Sequence, residues 1–460
     1  LDFQYWILTN KRIEENIMKI QKFISNFDYI IFISAILLTI IGILFIYSAN
    51  LSRSDLNREF IKQIIFAVIG LIILITLLFI PTKNIADFSL TFYIICIFGL
   101  IITLFFPYIK GQRRLNIFGA SFQFSEFMKI ATIFLLSLYY SKKNKEEMRN
   151  ILTYIVGLLI VLIPVGLILL QPDLGTMLVF IPIVLVISFM AGVKKRYIVY
   201  TILFIFSITI IPVATSINHL FFNDENEFIY LLLNPKYIII VFSTLIVTII
   251  IAILAYFNVI KGINDKFRLF FYWYIFFMSI FIIGGALSYP VDRYILKGYQ
   301  KDRLLIFFNP EFDPKGKGFH IIQSKNTIGN GGLFGKGWTK GELTQNYFLP
   351  EQATDFIYPV IAEEKGYVGS LIILILYGLI FFRGFRIVIN ARDNWSAYVI
   401  IGLMSMLLFH IFENMGMCLG IMPITGIPLP FLSYGGSFLM SCFTTIGIIL
   451  NIGINKYQYS

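Results

Sequence analysis

Between Tyr299 and Gly369 the carboxylates Asp302, Glu311, Asp313 and Glu351 alternate with the cations Lys301, Arg303, Lys315, Lys317, Lys325 and Lys336. A carboxylate so placed can take the proton of an attacking hydroxyl, while neighbouring cations or a divalent metal steady phosphate charge. The same mixture suits the surface of a water-facing loop, and spacing alone supports either role. The run Gly329-Asn330-Gly331-Gly332-Leu333-Phe334-Gly335-Lys336-Gly337 lacks the Ser or Thr that follows lysine in a phosphate loop. It reads as a compact turn whose backbone N–H groups could face an anion. The three histidines, His219, His320 and His410, have no metal-ligand spacing, which argues against a zinc hydrolase. Cys96, Cys418 and Cys442 sit in apolar runs and form neither a disulfide framework nor a metal motif.

The elements that must carry these groups are membrane helices. Of 460 residues, 58% are hydrophobic and only 14% charged, with a mean hydropathy of +0.82, so a soluble globular domain is excluded. Apolar runs long enough to cross a hydrocarbon core of about 30 Å fall near 28–49, 60–80, 86–106, 124–141, 151–170, 174–192, 197–217, 237–260, 267–289, 356–382, 396–420 and 430–454. The expected fold is an all-α polytopic membrane protein of about twelve transmembrane helices with a large extracytoplasmic loop at 290–355. Lysine and arginine favour the segments that are cytoplasmic when the N-terminus is inside, including Lys142-Lys143, Lys194-Lys195-Arg196 and the Arg383, Arg386 and Arg392 group. That orientation turns Asp313 outward. Residues 1–27 read as a cytoplasmic lead-in without a signal-peptide cleavage pattern, and 455–460 as a cytoplasmic tail. The net charge of +11 belongs with the positive-inside bias and does not point to nucleic acid. The acidic stretch Asn223-Asp224-Glu225-Asn226-Glu227 reads as a solvated turn.

Charged groups inside an apolar run cost about 3 kcal/mol each on insertion scales, so each needs a partner, a wet cavity or a job. Glu126 and Lys129 are three apart and can pair on one face of the fourth span, as an interfacial ion pair or a functional one. Asp173, in the tight turn Gln171-Pro172-Asp173-Leu174-Gly175-Thr176, is placed to cap the next helix. From Asn414 to Ser437 proline and glycine are too dense for an unbroken lipid-facing helix; a broken helix lining a cavity fits better.

Several motifs in order are then recognisable. They are Gln171 to Thr176, Tyr299-Gln300 through Arg303, Asn309-Pro310 with Asp313-Pro314, Gly318 through Lys325, Gly331 through Trp338, Leu349-Pro350-Glu351 with Thr354-Asp355-Phe356, Ala362-Glu363-Glu364, and Pro428-Leu429-Pro430 with Ser433-Tyr434-Gly435-Gly436-Ser437. Across about residues 28–454 the chain resembles the SEDS family of cell-wall polymerases, and most closely its RodA branch.

That resemblance implies a peptidoglycan glycosyltransferase of the bacterial cytoplasmic membrane. It would polymerise the lipid-linked disaccharide-pentapeptide precursor, lipid II, at the extracytoplasmic face, for cell elongation and shape. Asp313 matches the family's essential loop aspartate, as general base or as ligand to a divalent cation such as Mg or Mn. Arg303, Lys325 and Lys336 are the candidates for the donor pyrophosphate. Glu126 and Lys129 match the family's buried polar pair, and with Arg113, Asp173 and Ser433 they are further candidates for substrate binding. The resemblance also implies a class B penicillin-binding protein as transpeptidase partner. Competing readings are a flippase for the same precursor and a non-catalytic scaffold for the transpeptidase. The chain departs from the family pattern at Arg114, where Trp is usual, at Phe124, where Pro is usual, and at Ala353, where His is common. The family core has ten spans, so the three within 197–289 imply a two-helix insertion.

Overall fold

The computed structural model describes residues 25–51, 56–106, 108–109, 112–113, 115–117, 120–221, 235–256, 265–295, 298–313 and 316–455. The segment 1–24, the acidic stretch at 223–227 and the tail 456–460 lie outside the described residues. The fold is all-helical apart from two short antiparallel hairpins, β1 (Tyr108–Ile109) with β2 (Gln112–Arg113) and β3 (Leu115–Ile117) with β4 (Ala120–Phe122). Every apolar run in the sequence becomes a helix. In order these are α1 (Tyr29–Asn50), α2 (Leu56–Leu78), α3 (Thr82–Thr103), α4 (Phe124–Ser141), the short α5 (Lys145–Met148), α6 (Ile151–Leu169), α7 (Leu174–Met190), α8 (Lys195–Phe221), α9 (Pro235–Tyr256) and α10 (Asp265–Pro290). After α11 (Gly298–Phe308), α12 (Lys317–Asn330) and the short α13 (Glu342–Gln345) come α14 (Ile357–Ile389), α15 (Asn394–Leu419) and α16 (Gly436–Ile454).

Among the described residues nine of these helices are long and apolar enough to cross a membrane. The other three expected spans fall short for visible reasons. α4 carries Glu126 and Lys129, α7 has 17 residues, and the described apolar part of α9 is Ser243–Leu254. Two boundaries move from those expected. The last helix starts at Gly436, because Ser433 to Gly435 hold a non-helical path, and α14 continues to Ile389.

The chain forms two compact units. The first comprises Leu1–Val193, Gln323–Leu419 and Thr425–Ser460. Its centre is α16, in which every residue is buried, with α2 packed along it. α14 lies on α1, and α15 packs on α4 and α7. Asp28 caps α1 through Ile31 N–H and also accepts from Arg383 Nε at 2.7 Å, which fixes the start of α1 to α14.

The second unit comprises Lys194–Ile322 and Gly420–Ile424. α8 and α9 both pack on α10. Pro212 has no N–H to offer Ile208 four residues earlier, and Ser288 Oγ donates to that freed carbonyl at 2.6 Å. Around Trp273 the rings of Tyr272, Phe276 and Phe277 meet edge-on or stacked. The expected extracytoplasmic loop is partly helical and is divided between the units, 290–322 in the second and 323–355 in the first.

Candidate functional site

The first unit holds a buried ionic cluster. Glu126, in the first turn of α4, accepts from Lys129 Nζ at 2.8 Å, so the one-face spacing of the pair is realised. Lys129 is buried to 1% exposure and has a second partner, His410 Nε2 on α15, at 2.9 Å. An ammonium has donors only, so Nε2 must be the accepting nitrogen. The ring proton then sits on Nδ1, which faces Pro428 carbonyl at 3.3 Å. The Phe438 ring completes the enclosure, 5.5 Å from Nζ and 4.8 Å from the imidazole. α4, α15, α16 and the stretch before α16 are thereby tied through one cation. An isolated ammonium would not survive such burial; a paired, hydrogen-bonded one does.

Asp173 is a helix cap. Its Oδ1 accepts from Thr176 N–H at 3.1 Å, and its Oδ2 accepts from Thr176 Oγ1 and from Gln123 Nε2, both at 2.8 Å. Gln171 Nε2 donates to Leu100 carbonyl and to Thr103 Oγ1, which fastens the same turn to α3.

Between α15 and α16 the backbone is irregular, and side chains supply the missing partners. Asn414 Nδ2 donates to the carbonyls of Asp355 at 2.8 Å and Ile427 at 2.7 Å, and Tyr377 O–H donates to Pro430 carbonyl. Ser433 Oγ accepts from Leu429 N–H at 2.8 Å, while Gln63 bonds Ser433 carbonyl and Gly435 N–H. Ser433 is buried and holds its own turn. This is the broken helix expected from the proline and glycine density, with every freed group named above satisfied by protein.

A second break lies inside α14. Gly366 has φ 66° and ψ −161°, so the helical ladder stops there. The glycine run fills the gap. Lys336 and Gly337 N–H donate to the carbonyls of Glu363 and Glu364 at 2.9 and 3.0 Å, and Tyr367 and Val368 N–H donate to Gly332 and Leu333 carbonyls at 2.9 and 3.1 Å. The two N–H groups at the lysine are therefore committed to α14, not to an anion nest. A Cβ at Gly335 would run into Glu364 carbonyl, and one at Gly366 into Gly335 N.

Asp313 belongs to the second unit, at the C-terminal end of a 3₁₀ turn, Pro310–Phe312. Asn309 Oδ1 accepts from Glu311 N–H at 3.1 Å to cap that turn. Asp313 carbonyl accepts from Phe319 N–H at 3.2 Å, and its half-buried carboxylate lies against Gly316. Arg303, also half-buried, is on α11 of the same unit. Lys325 on α12 and Lys336 are exposed side chains of the first unit. Ser324 Oγ bonds Cys418 carbonyl at 2.7 Å and fixes the turn that carries Lys325. Arg113 lies on β2, and its side chain is outside what the structure describes. Of the expected site residues, Glu126 and Lys129 are joined by an ion pair.

Among the described residues no group of three or more His, Cys, Asp or Glu side chains is arranged to hold a metal. Asp313 offers one carboxylate, a set that suits a hard ion shared with substrate phosphates better than a site built by protein alone. No spacing or motif in the sequence marks His410, Gln123 or Gln63 as site residues, Asn414 only opens the proline- and glycine-rich stretch, and Glu363 and Glu364 fall within a motif. His410 and the two glutamates carried one usable signal, a titratable group within an apolar run.

Fold and site together define a polytopic membrane protein with an ionic cluster inside its helix bundle. Residues 28–237 and 237–458 match the cell cycle protein family FtsW/RodA/SpoVE, and the chain belongs to that family. It is 36% identical over 440 residues to the peptidoglycan glycosyltransferase RodA of Treponema pallidum, covering 94% of this chain and 99% of the relative. It is 30% identical to the peptidoglycan glycosyltransferase MrdB of Escherichia coli K12, with 92% of each chain covered. The fold is similar to a chain of a peptidoglycan synthase complex described as coordinating polymerization and crosslinking (TM-score 0.65, 24% identity, 94% and 99% of the two chains covered). It is also similar to the rod shape determining protein RodA of Thermus thermophilus (TM-score 0.57, 21% identity, 94% and 98% covered).

Proposed function

We propose that this chain is a peptidoglycan glycosyltransferase that polymerises the lipid-linked disaccharide-pentapeptide precursor, with Asp313 as its catalytic carboxylate. The observation that carries the reading is the 36% identity, nearly end to end, with a relative of that named activity. In the reaction an acceptor sugar hydroxyl attacks the anomeric carbon of the donor. A new C–O bond forms, the bond to the pyrophosphate breaks, the polyprenyl pyrophosphate leaves with the electron pair, and the hydroxyl proton passes to Asp313. Arg303, Lys325 and Lys336 are assigned to the pyrophosphate, where fixed cations stabilise charge that grows as the bond breaks. A divalent ion, if used, would be held by Asp313 together with phosphate oxygens, and a chelator would then stop turnover. Arg113 stays a candidate substrate contact. Asp173 and Ser433 hold the turns that border such contacts, and Lys129, paired with Glu126, holds α4 against α15 through His410.

The enzyme would work as a multi-pass protein of the bacterial cytoplasmic membrane with Asp313 on the extracytoplasmic face. A class B penicillin-binding protein is the proposed transpeptidase partner; the likeness to a polymerising and crosslinking complex supports it. Two of the three helices within 197–289 are proposed as an insertion in the family core. The purified chain, reconstituted in liposomes with the lipid-linked precursor, should yield glycan polymer. Asp313→Ala should yield none. Transport of precursor without polymer by the unaltered chain would overturn the assignment.

A further inference from the structure

We infer that Glu363 and Glu364 are positioning residues, a pair of buried carboxylates that clasps segment 331–345 and so sets Lys336 for the leaving pyrophosphate. The inference rests on the glycosyl-transfer reading above. Both side chains are completely buried, and their main chain lies just before the break at Gly366. Glu363 Oε1 accepts from Asn330 Nδ2 and from Leu343 N–H, each at 2.9 Å. Its Oε2 accepts from Thr344 N–H at 3.0 Å and from Thr344 Oγ1 at 2.6 Å. Glu364 Oε2 accepts from Thr339 N–H at 3.0 Å, and its Oε1 accepts from Ser48 Oγ and, at 3.4 Å, from Gln345 Nε2. Added to the four backbone bonds across the break, these tie residues on both sides of Lys336 while its side chain stays exposed. Such a bond density around one solvent-facing cation exceeds what a surface turn requires. It is what a site needs when a charge must be held in place before the reaction.

The two glutamates are not equivalent, and that asymmetry makes the inference testable. At Glu363 each carboxylate oxygen faces a fixed backbone donor, Leu343 N–H on one and Thr344 N–H on the other. A glutamine there must turn its NH₂ toward one of those N–H groups in either orientation. At Glu364 only Oε2 meets a backbone donor; at Oε1 the Ser48 hydroxyl can rotate to accept from an NH₂, while Gln345 Nε2 keeps its bond to Ser48 carbonyl at 3.2 Å. Glu363→Gln should therefore disturb the clasp more than Glu364→Gln.

The test uses the full chain in liposomes and measures polymerisation of the lipid-linked precursor. Glu363→Gln should lower kcat/KM about tenfold, through kcat more than KM, and by more than Glu364→Gln does. Lys336→Ala should also cost about tenfold, and the double variant should be no worse than the lower single, because both changes remove one function. Backbone hydrogen exchange at Lys336 and Gly337 should speed up in Glu363→Gln, a readout independent of the reaction. If Glu363→Gln does not fold, Asn330→Ala, which removes a single donor, should show the same exchange change at a smaller scale. Unchanged exchange in these variants, reductions that multiply in the double variant, or full activity of Lys336→Ala would each overturn the inference. Polymer from Asp313→Ala would instead remove the reaction assigned to the site and leave the exchange result to judge the clasp.

Discussion

The two units handle polar groups in opposite ways. Among the described residues every buried charged side chain, from Asp28 through Glu126, Lys129, Asp173, Glu363, Glu364 and Glu413, lies in the first unit, whereas the second buries only neutral polar side chains such as Ser207, Ser216, Ser288 and Gln300. Asp313, the proposed catalytic carboxylate, sits in that second, mainly apolar unit on a half-buried turn. Hydrogen-bonded charges in the first unit thus specify shape, and the turn that carries Asp313 is held by the Asn309 cap and by Gly316 and Phe319 N–H bonds to Asp313 carbonyl. Stability and turnover should therefore respond to different residues.

The largest effect on folding should come from Lys129. Replacing it with alanine leaves Glu126 buried without its cation and should cost about 3–5 kcal/mol, read as a lower melting temperature in detergent. The paired change Glu126→Gln with Lys129→Met should recover most of that loss, and failure to recover would mean that the cluster is not acting as a pair. Asn414→Leu comes next. It strips the carbonyls of Asp355 and Ile427 of their donor, at a cost of about 1–3 kcal/mol for buried groups left unsatisfied. Asp173→Ala removes the α7 cap and should cost about 1 kcal/mol. Smallest is Trp273→Leu in the second unit, where the ring is half exposed among apolar neighbours; stability should change by no more than about 0.5 kcal/mol. A large loss there with a small one at Lys129 would invert the contrast between the units.

Much of this was legible in sequence because membrane helices announce themselves by length and apolarity. All twelve runs became helices, and the pairing of Glu126 with Lys129 followed from a three-residue spacing. Its third member did not, since His410 is 281 residues away and only tertiary packing brings it to Lys129. The break in α14 was also hidden, because one glycine inside an apolar run is compatible with an intact helix. What forces the break is the exchange of backbone bonds with 332–337, a long-range event. The turn at 331–337 was readable as a turn, but the use of its N–H groups was not. Helices α11 and α12, both low in overall apolarity, were concealed in a stretch that composition marked only as water-facing.

The central claim is that one carboxylate in the second unit performs chemistry without carrying the fold. The most direct test is Asp313→Asn, purified and reconstituted with the lipid-linked precursor, with polymer rate and melting temperature measured on the same sample. The account predicts a rate at least about a hundredfold lower, in the range typical of lost general-base catalysis, at an unchanged melting temperature. Polymerisation at the rate of the unaltered chain would contradict it.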